Sequence, residues 1–501
     1  MTRARTIPCV LGLLVLTAAP PWVCARGRGE TPVPEPEASP LAANGAGAES
    51  VLARADKHFQ LGKAQLSAGR IAAARQEFDR AVDVLLEAPE SLRAQREFRQ
   101  QFEQLVEAIH RYDLAAASDE RSQAPAFDKP PLEDIPEPTF PVDPSERDRV
   151  LEQIRATASQ LPLEVNDDVL RYIRYFSTAR GRKILIAGLR RAGRYRELIY
   201  RILDEEGLPR ELIHLAQAES GFLPRAVSRK KATGMWQFML FRGRQYGLAR
   251  DKYVDERMDP EKATRAAARH LRDLYTQFGD WYLAMAAYNC GPGVVERAVE
   301  RTGYADIWEL RRRNVLPRET SNYIPIILAM IIMAKNPAAY GLEEVEPDPP
   351  VRYEAVEITA PTSLQLVADI TGAPVELLRE LNPALLTPVA PAGYSLRVPH
   401  GEGASVASVL RMIPPEGRGR WRMHRVAGGE TLAEIARRYR ARTVEIAALN
   451  RLDGAPPEPG TLLLVPTRTA PQTAFRRPNS RKAARSSATR RGGAPARTAA
   501  P

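Results

Sequence analysis

A single acidic residue, Glu219, stands at the end of a predicted helix, on the side that carries apolar residues. Leu212, Leu215 and Ala216 precede it at the spacing of one helical face. Gly221 follows, and glycine is typical of a helix end. Burial and the negative end of the helix dipole both disfavour an ionised carboxyl group there. The sequence therefore predicts a raised pKa for Glu219, as a general acid near neutral pH requires. A structural, paired glutamate is the alternative.

Two other segments contain groups suited to binding sugars. In Gly-Met-Trp-Gln-Phe at 234–238, an aromatic ring that could stack on a sugar stands beside an amide that could hydrogen-bond an N-acetyl group. The alternative is an ordinary core segment, because Trp and Met are common in cores. Farther along, Asp280 predicts the N-terminal cap of a helix over 281–289. This helix places Tyr288 and Asn289 at its C-terminal end, where polar atoms can project into a cleft.

Other reactive side chains in this region are expected to be structural. The available second carboxylates are Asp255, Glu256, Asp259 and Asp280. The first three share a segment with Arg257 and precede a predicted helix, so capping and salt bridging are favoured. His214 is predicted to be structural, and Cys290 has no histidine close in sequence to activate it. We predict no metal or other cofactor, because no group of His or Cys has metal-ligand spacing and no glycine-rich loop follows a strand.

Five motifs occur in an order that resembles the lytic transglycosylases of peptidoglycan, most closely their membrane-bound D type, in which LysM modules follow the catalytic domain. The motifs are E-S-G-F (219–222), G-M-W-Q-F (234–238), Y-G-L (246–248), D-E-R-x-D-P (255–260) and A-A-Y-N-C-G-P-G (286–293). The resemblance covers roughly 145–467 and implies a mainly α, goose-lysozyme-like catalytic domain. It implies that Glu219 is the catalytic residue. The substrate-binding residues that it implies are Ser220, Met235, Gln237, Tyr288, Asn289 and Tyr323.

A mechanism with one carboxyl group follows from this resemblance. Hydrolysing glycosidases use two carboxylates. Acting alone, Glu219 would protonate the glycosidic oxygen between N-acetylmuramic acid and N-acetylglucosamine. It would then accept a proton from the muramic C6 hydroxyl, which closes on C1 to give a 1,6-anhydro sugar without water. The family implies that the substrate's acetamido group stabilises the cationic centre. A hydrolytic lysozyme of the same fold and an inactive wall-binding scaffold are the alternatives.

The C-terminal third contains an internal repeat. Ser363-Leu364 matches Thr431-Leu432, and Leu381-Asn382 matches Leu449-Asn450, so each copy is predicted to be strand, helix, helix, strand. The second copy, 423–467, resembles the LysM carbohydrate-binding module through G-G-E-T-L, A-L-N, P-G-T-L and V-P. This resemblance implies binding of glycans that contain N-acetylglucosamine. The first copy, 353–399, has Pro361 in place of the glycine-rich turn, which leaves glycan binding and protein contacts both open.

The remaining segments complete the predicted domain organisation. Residues 1–25 have the basic, apolar and small-residue order of a signal peptide, with cleavage after Ala25 favoured over lipidation of Cys24. The protein is thus expected to be exported, periplasmic or associated with the cell envelope. The other predicted segments are a disordered linker (26–49), a tetratricopeptide-like or generic helical region (50–115), a proline-rich linker (116–144), the catalytic domain (145–342) and a basic disordered tail (468–501).

The charge distribution excludes a nucleic-acid-binding face. The formal net charge is +11, but removing the nine Arg and Lys residues of 468–501 leaves only +2. The tail is predicted to be solvated, and contact with anionic wall polymer or membrane through it would weaken with salt. Hydrophobic residues make up 44% and charged residues 27% of the chain, which excludes wholesale disorder and a polytopic membrane protein. The predicted partner is the glycan strand of peptidoglycan.

Overall fold

The computed structural model describes residues 40–93, 95–117, 128, 130–131, 135–452 and 455–467. The predicted signal peptide, most of the linker after it and the basic tail therefore lie outside the described residues. From Ser50 onward, the described residues belong to one compact unit. Among the described helices, none is both long enough and apolar enough to cross a bilayer.

Four helices form the N-terminal region: α1 (Pro40–Ser67), α2 (Ile71–Leu86), α3 (Glu90–Arg93) and α4 (Arg96–Ala117). α1 begins inside the segment 26–49 that we expected to be disordered, because proline suits a first helical turn and alanines follow it. Gly62 of α1 lies under the ring of Phe78, which a Cβ atom would approach to 2.4 Å. This small residue lets α1 and α2 come close. Leu61 beside it is 41% exposed.

The described part of the proline-rich segment 116–144 is docked on the next domain. Ile135, Phe140 and Val142 pack against its core. Asp128 forms a parallel bridge with Ala226. These residues of the predicted proline-rich linker therefore pack on the central domain, because the apolar side chains between the prolines are buried against its surface.

Ten helices and three short 3-10 turns build the central domain. The helices are α5 (Pro144–Ala156), α6 (Asp167–Ser177), α7 (Ala179–Glu205), α8 (Ile213–Ser220), α9 (Leu240–Gln245), α10 (Pro260–Phe278), α11 (Trp281–Cys290), α12 (Pro292–Thr302), α13 (Ile307–Arg312) and α14 (Arg318–Lys335). The 3-10 turns are Arg210–Leu212, Glu256–Met258 and Pro337–Tyr340. The predicted mainly α fold is confirmed.

The short helix α8 lies at the centre of this domain. It packs against α7 and α14, while α11 packs against α10 and α14. The apolar run of α14 is buried from Tyr323 to Met333, so this helix belongs to the core. The core thus surrounds α8 and fixes the orientation of each side chain that it carries.

Two small βααβ modules follow, as the repeat predicts. The first contains β1 (Tyr353–Glu357), β2 (Thr362–Ser363), α15 (Leu364–Thr371), α16 (Val375–Leu381), β3 (Val389–Ala390) and β4 (Ser395–Pro399). The second contains β5 (Arg422–Arg425), α19 (Leu432–Tyr439), α20 (Thr443–Leu449) and β6 (Leu462–Val465). Helices α17 (Gly403–Met412) and α18 (Pro415–Arg418) connect them. β1 pairs antiparallel with β4, and β5 with β6.

One asparagine closes each module in the same way. Asn382 Nδ2 donates to Arg397 O at 2.7 Å, and its Oδ1 accepts from Arg397 N at 2.9 Å. Asn450 makes the same two bonds with Leu464, both at 2.7 Å. Each amide ties the end of the second helix to the last strand. This shared bonding explains why the Leu-Asn pair recurs in the sequence repeat.

Candidate active site

Glu219 lies near the C-terminal end of α8, which ends at Gly221 as predicted. Only 8% of its surface is exposed. Leu212, Leu215 and Ala216, which define the apolar face, are fully buried. Burial raises the pKa of Glu219 to about 8, so the side chain is a neutral acid at pH 7. The expected dehydrated carboxyl group is therefore present.

Tyr323 of α14 holds this carboxyl group. Its hydroxyl donates a hydrogen bond of 2.6 Å to Glu219 Oε1, and the tyrosine itself has no exposed surface. This bond favours the carboxylate and so acts against the larger effect of burial on the pKa of Glu219. Because Oε1 is occupied, Oε2 is the oxygen on which the acid can carry its proton. The two residues meet although they are 104 positions apart in the chain.

A second buried glutamate near the start of α8 has the opposite protonation behaviour. Glu211 Oε1 lies 2.7 Å from Lys335 Nζ and also accepts from Ser159 Oγ at 3.1 Å. Burial by itself would raise the pKa of Glu211, but Lys335 and backbone N–H donors together hold it below its ordinary value. Glu211 is therefore a carboxylate at neutral pH. It lines a cavity of about 730 Å³ with His214 and Gln217, and this charge makes the cavity unsuited to a general acid.

The loop 234–238 is fixed beside Glu219 by two hydroxyl groups. Ser220 Oγ donates to Met235 O at 2.7 Å, and Tyr288 Oη donates to Trp236 O at 2.8 Å. Ser220 is fully buried, so its hydroxyl positions the loop and is not placed to touch a glycan. The suggestion that the aromatic ring of this segment stacks on a sugar is wrong. Trp236 has no exposed surface, and its indole N–H donates to Thr264 Oγ1 at 2.9 Å within the core.

Gln237 is the residue of this loop that remains half exposed. Its Nε2 donates to Gly234 O at 2.7 Å, and in the described part of the chain its buried Oε1 has no hydrogen-bond donor. A buried amide oxygen without a donor is unfavourable. Met235, in contrast, is 1% exposed and contributes mainly to packing.

Helix α11 carries Tyr288 and Asn289 at its C-terminal end. Asp280 accepts from Leu283 N at 2.8 Å and caps this helix as predicted. Asn289 Oδ1 accepts from Thr320 Oγ1 at 2.7 Å, which ties the end of α11 to the start of α14. Both predicted residues are partly exposed. The six predicted substrate-binding residues thus come from four elements, namely α8, the loop 234–238, α11 and α14.

The candidate second carboxylates are used in structural contacts, as the sequence indicated. Asp255 binds Arg257 through both oxygens, at 2.9 and 2.7 Å. Asp259 accepts from two backbone N–H groups at the start of α10. Glu256 accepts from Ala249 N at 2.8 Å. None of these arrangements leaves a carboxylate aimed at a reaction centre.

One acidic residue near the site, Glu319, is not among the candidates predicted from the sequence. Glu319 raises the pKa of Glu219, and it is paired at 2.8 Å with Lys230, which acts in the opposite direction. Both side chains are more than half exposed. Glu319 stands four residues before Tyr323 on α14, so helical spacing from the E-T-S-N-Y segment could have indicated it.

Supporting residues behind Tyr288 and the loop were also missed. His270 Nδ1 lies 3.0 Å from Tyr246 Oη, which donates to Asp273 at 2.9 Å. The ring of His270 packs on Tyr288 with centroids 5.2 Å apart. Burial holds the pKa of His270 well below its ordinary value, so the ring is neutral. The Y-G-L motif could have indicated this group, because it contains Tyr246.

Two reactive side chains are unsuited to catalysis. Burial raises the pKa of the Cys290 thiol to about 11, so little thiolate exists at neutral pH. Burial lowers the pKa of His214 to about 4, and its Nδ1 lies 2.7 Å from Gln217 Oε1. Both findings agree with the structural roles predicted for these residues.

Comparison with known families identifies three domains in the chain. Residues 199–311 match the Transglycosylase SLT domain, which includes Glu219 and the loop 234–238. The chain carries an SLT domain. Behind the SLT domain, residues 352–414 match the LysM-like domain of the lytic transglycosylase MltD, and 424–466 match the LysM domain. The resemblance drawn from the five motifs is thereby confirmed at the level of domains.

Individual relatives agree with this assignment. The chain is 32% identical over 282 residues to the membrane-bound lytic murein transglycosylase D of Escherichia coli K12. This match covers 52% of the chain. It spans 61% of that relative's length. It is 33% identical over 156 residues to the peptidoglycan transglycosylase gp16 of Escherichia phage T7, covering 30% of this chain and 11% of gp16.

Solved structures with similarity to this chain are more distant. The lytic transglycosylase Slt of Pseudomonas aeruginosa is 19% identical with a TM-score of 0.27, and the match covers 62% of this chain and 59% of Slt. The soluble lytic transglycosylase SLT70 of Escherichia coli is 18% identical with the same TM-score, over 52% of this chain and 49% of SLT70. These scores are too low for a comparison of site geometry.

Proposed function

We propose that this protein is a lytic transglycosylase that cleaves the β-1,4 bond between N-acetylmuramic acid and N-acetylglucosamine in peptidoglycan. The SLT domain within 145–342 would carry the activity. The observation that supports this most directly is a neutral, buried Glu219 whose Oε1 accepts from Tyr323. The SLT domain and the relatives named as transglycosylases of peptidoglycan agree with it.

Glu219 acts first as the acid. Its Oε2 proton passes to the glycosidic oxygen, the bond from muramic C1 to that oxygen breaks, and the leaving N-acetylglucosamine keeps the proton. The resulting carboxylate is stabilised by the hydroxyl of Tyr323, whose bond to Oε1 strengthens as charge develops. Tyr323 therefore favours the ionised Glu219 formed in this step, whereas burial favours the protonated Glu219 that starts the reaction.

Glu219 acts next as the base. Its carboxylate accepts the proton of the muramic C6 hydroxyl, and the C6 oxygen bonds to C1. The product is a 1,6-anhydro end, no water is consumed and Glu219 is protonated again. Of the predicted substrate-binding residues, we assign Gln237, Tyr288 and Asn289 to the glycan because they retain exposed surface. Ser220, Met235 and Tyr323 hold the site from within the core.

The test is the substitution Glu219→Gln in the full chain. Purified peptidoglycan is digested with each protein, and the released fragments are analysed by mass spectrometry. We expect wild type to release anhydro ends, which are lighter by one water than hydrolysed ends. Glu219→Gln should lower the rate roughly 10²- to 10⁴-fold, because it removes the proton donor and keeps the amide shape.

Glu319→Gln is the matched control and separates the two mechanisms. In a reaction that uses Glu219 alone, this exposed residue is not needed, and the rate should stay within a few-fold of wild type. A hydrolytic lysozyme using a second carboxylate would lose activity with this substitution and would release hydrolysed ends. That pair of results would replace the transglycosylase proposal with hydrolysis.

The second module is proposed to hold the enzyme on the wall. A groove of about 600 Å³ runs between the turn 429–433 and the proline-rich segment 455–459, with Ala447 and Leu452 at its floor. Its lining is mainly apolar and includes the polar residues Glu430, Thr431 and Thr443, a composition typical of ligand pockets. Together with the predicted signal peptide, this supports a proposed activity in the periplasm or cell envelope.

A further inference from the structure

The first LysM-like module pairs with the SLT domain through its backbone. Asp255 N donates to Ala384 O at 2.9 Å, and Leu386 N donates to Tyr253 O at 2.8 Å. Val254 and Leu385 therefore face each other as an antiparallel bridge. Val254 packs against the apolar core of the module, in which Leu385 is fully buried. A segment of the SLT domain is thus incorporated into the module.

Charged side chains reinforce the same contact. Arg397 on β4 of the module forms an ion pair of 2.8 Å with Asp259 of the SLT domain. Both side chains are largely buried, at 13% and 9% exposed. From the other direction, Arg225 Nη1 donates to Pro383 O at 2.7 Å and to Leu385 O at 3.0 Å. Buried ion pairs of this kind fix orientation, because a displaced partner would leave a charge unpaired.

The segment held by the module, 253–259, supports the loop beside Glu219. Asp255 fixes Arg257 through both oxygens, and Arg257 Nη1 donates to Phe238 O at 3.0 Å. Gly234 lies directly on Arg257 O, which an added Cβ atom would approach to 1.8 Å. Successive contacts therefore connect Arg397 to the segment 255–259 and this segment to the loop 234–238, which contains Gln237.

The groove that is open in the second module is closed in the first. Glu430 and Thr431 correspond to Thr362 and Ser363. Counted back from the matching glycines Gly460 and Gly393, the segment 456–459 corresponds to 389–392. In the first module, Thr362 pairs with Ala390 and Ser363 with Val389, as two short antiparallel strands. The second module has prolines at 456, 457 and 459. Proline has no N–H to donate, so that wall does not pair and the groove remains open.

We propose that the first module is a positioning element of the catalytic site, with Arg397 as its positioning residue, and that it does not bind glycan. It holds 253–259 behind the loop 234–238 and thereby sets the geometry around Glu219. This rests on the proposed transglycosylase function. In this proposal the first module affects the rate of turnover, and the second module provides affinity for the wall.

The first experiment compares Arg397→Met with Arg422→Met in the full chain. Arg422 forms a similar ion pair, at 2.6 Å to Asp369, but this pair joins the two modules to each other. We expect Arg397→Met to lower kcat on soluble glycan strands roughly tenfold with KM little changed, since a small displacement of supporting residues slows chemistry. Arg397→Lys should recover part of the loss. Arg422→Met should leave kcat within twofold of wild type.

Two measurements keep this test independent of the proposed activity. Amide hydrogen exchange of 234–238 should become about tenfold faster in Arg397→Met and stay unchanged in Arg422→Met, whether or not the protein turns over substrate. Wall binding should be equal in both variants. Unchanged kcat and exchange in Arg397→Met, or loss of wall binding without loss of turnover, would overturn the inference. An inactive wild type would contradict the proposed function instead.

A second variant tests whether the contact persists during turnover. Val254→Cys with Leu385→Cys places thiols on a non-hydrogen-bonded antiparallel pair, in which side chains are closest and a disulfide can form. We expect the oxidised, locked protein to keep the kcat of its reduced form. A locked protein that regains activity only on reduction would mean that the module must leave the SLT domain, and would contradict a positioning role.

Discussion

Two opposed effects act on Glu219, and their balance sets the pH range of the proposed reaction. Burial raises its pKa to about 8, while the hydroxyl of Tyr323 favours the carboxylate. Glu211, eight residues earlier, is buried as well, but its contact with Lys335 keeps it ionised. Partners rather than burial alone therefore decide which glutamate can donate a proton. Activity should fall as pH rises through about 8, where the acid form of Glu219 is lost.

At the residue scale we predict the effect of Tyr323→Phe. Removing the hydroxyl takes away the bond that favours the carboxylate, so the pKa of Glu219 rises further. The alkaline limb of the pH–kcat profile should move upward by about one pH unit, and kcat at pH 7 should fall roughly tenfold. Tyr282→Phe is the control, because its hydroxyl donates to Pro162 O at 2.6 Å in another part of the domain. An alkaline limb that moves downward in Tyr323→Phe would contradict this account.

At the scale of elements, the loop 234–238 depends on close backbone contact. It is bonded on one side to Ser220 and Tyr288 and lies on Arg257 on the other. Gly234 has a positive φ of 89° and no room for a side chain. The loop therefore has a single packed position, which the D-E-R-x-D-P and G-M-W-Q-F motifs create together.

We predict that Gly234→Ala and Gly247→Ala differ strongly. Gly247 has a similar φ of 84° but nothing within 4 Å of the position of its Cβ. Gly247→Ala should cost only the backbone strain, about 1–2 kcal/mol. Gly234→Ala adds a clash with backbone and should cost at least about 4 kcal/mol and abolish turnover. Denaturant unfolding and glycan digestion check this, and equal losses for the two variants would show that the contact with Arg257 is unimportant.

At the scale of the whole molecule, two copies of one module have different surroundings. The first is bound to the SLT domain by Arg397 and by a short stretch of backbone pairing. The second contacts the first through Arg422 and keeps an open groove. Catalysis and attachment to the wall are therefore expected to be separable by mutation.

We predict that Ala447→Trp weakens wall binding about tenfold, equivalent to about 1.4 kcal/mol. Ala447 lines the groove of the second module, and a large side chain there would fill it. Ala448→Trp places the same side chain on the exposed side of α20 and should bind like wild type. Co-sedimentation with purified walls measures both, while kcat on soluble strands should remain unchanged. Equal binding by the two variants would mean that the groove is not the glycan site.

The sequence by itself determined the local features of this protein. Helical spacing placed Glu219 on an apolar face before a glycine, capping preference assigned Asp280, and the repeat with its paired Leu-Asn defined the two modules. These features depend on residues within a few turns of one another, so the chain encodes them without reference to the fold. The resemblance of five ordered motifs added the other candidate site residues.

The tertiary structure decided which distant groups meet. Nothing local indicates that Tyr323 bonds Glu219 or that Trp236 is buried away from any sugar. The docking of the first module through Arg397 and Val254 was equally hidden in the sequence. These contacts depend on how helices and modules pack, because burial and pairing are properties of the space between elements rather than of any one segment.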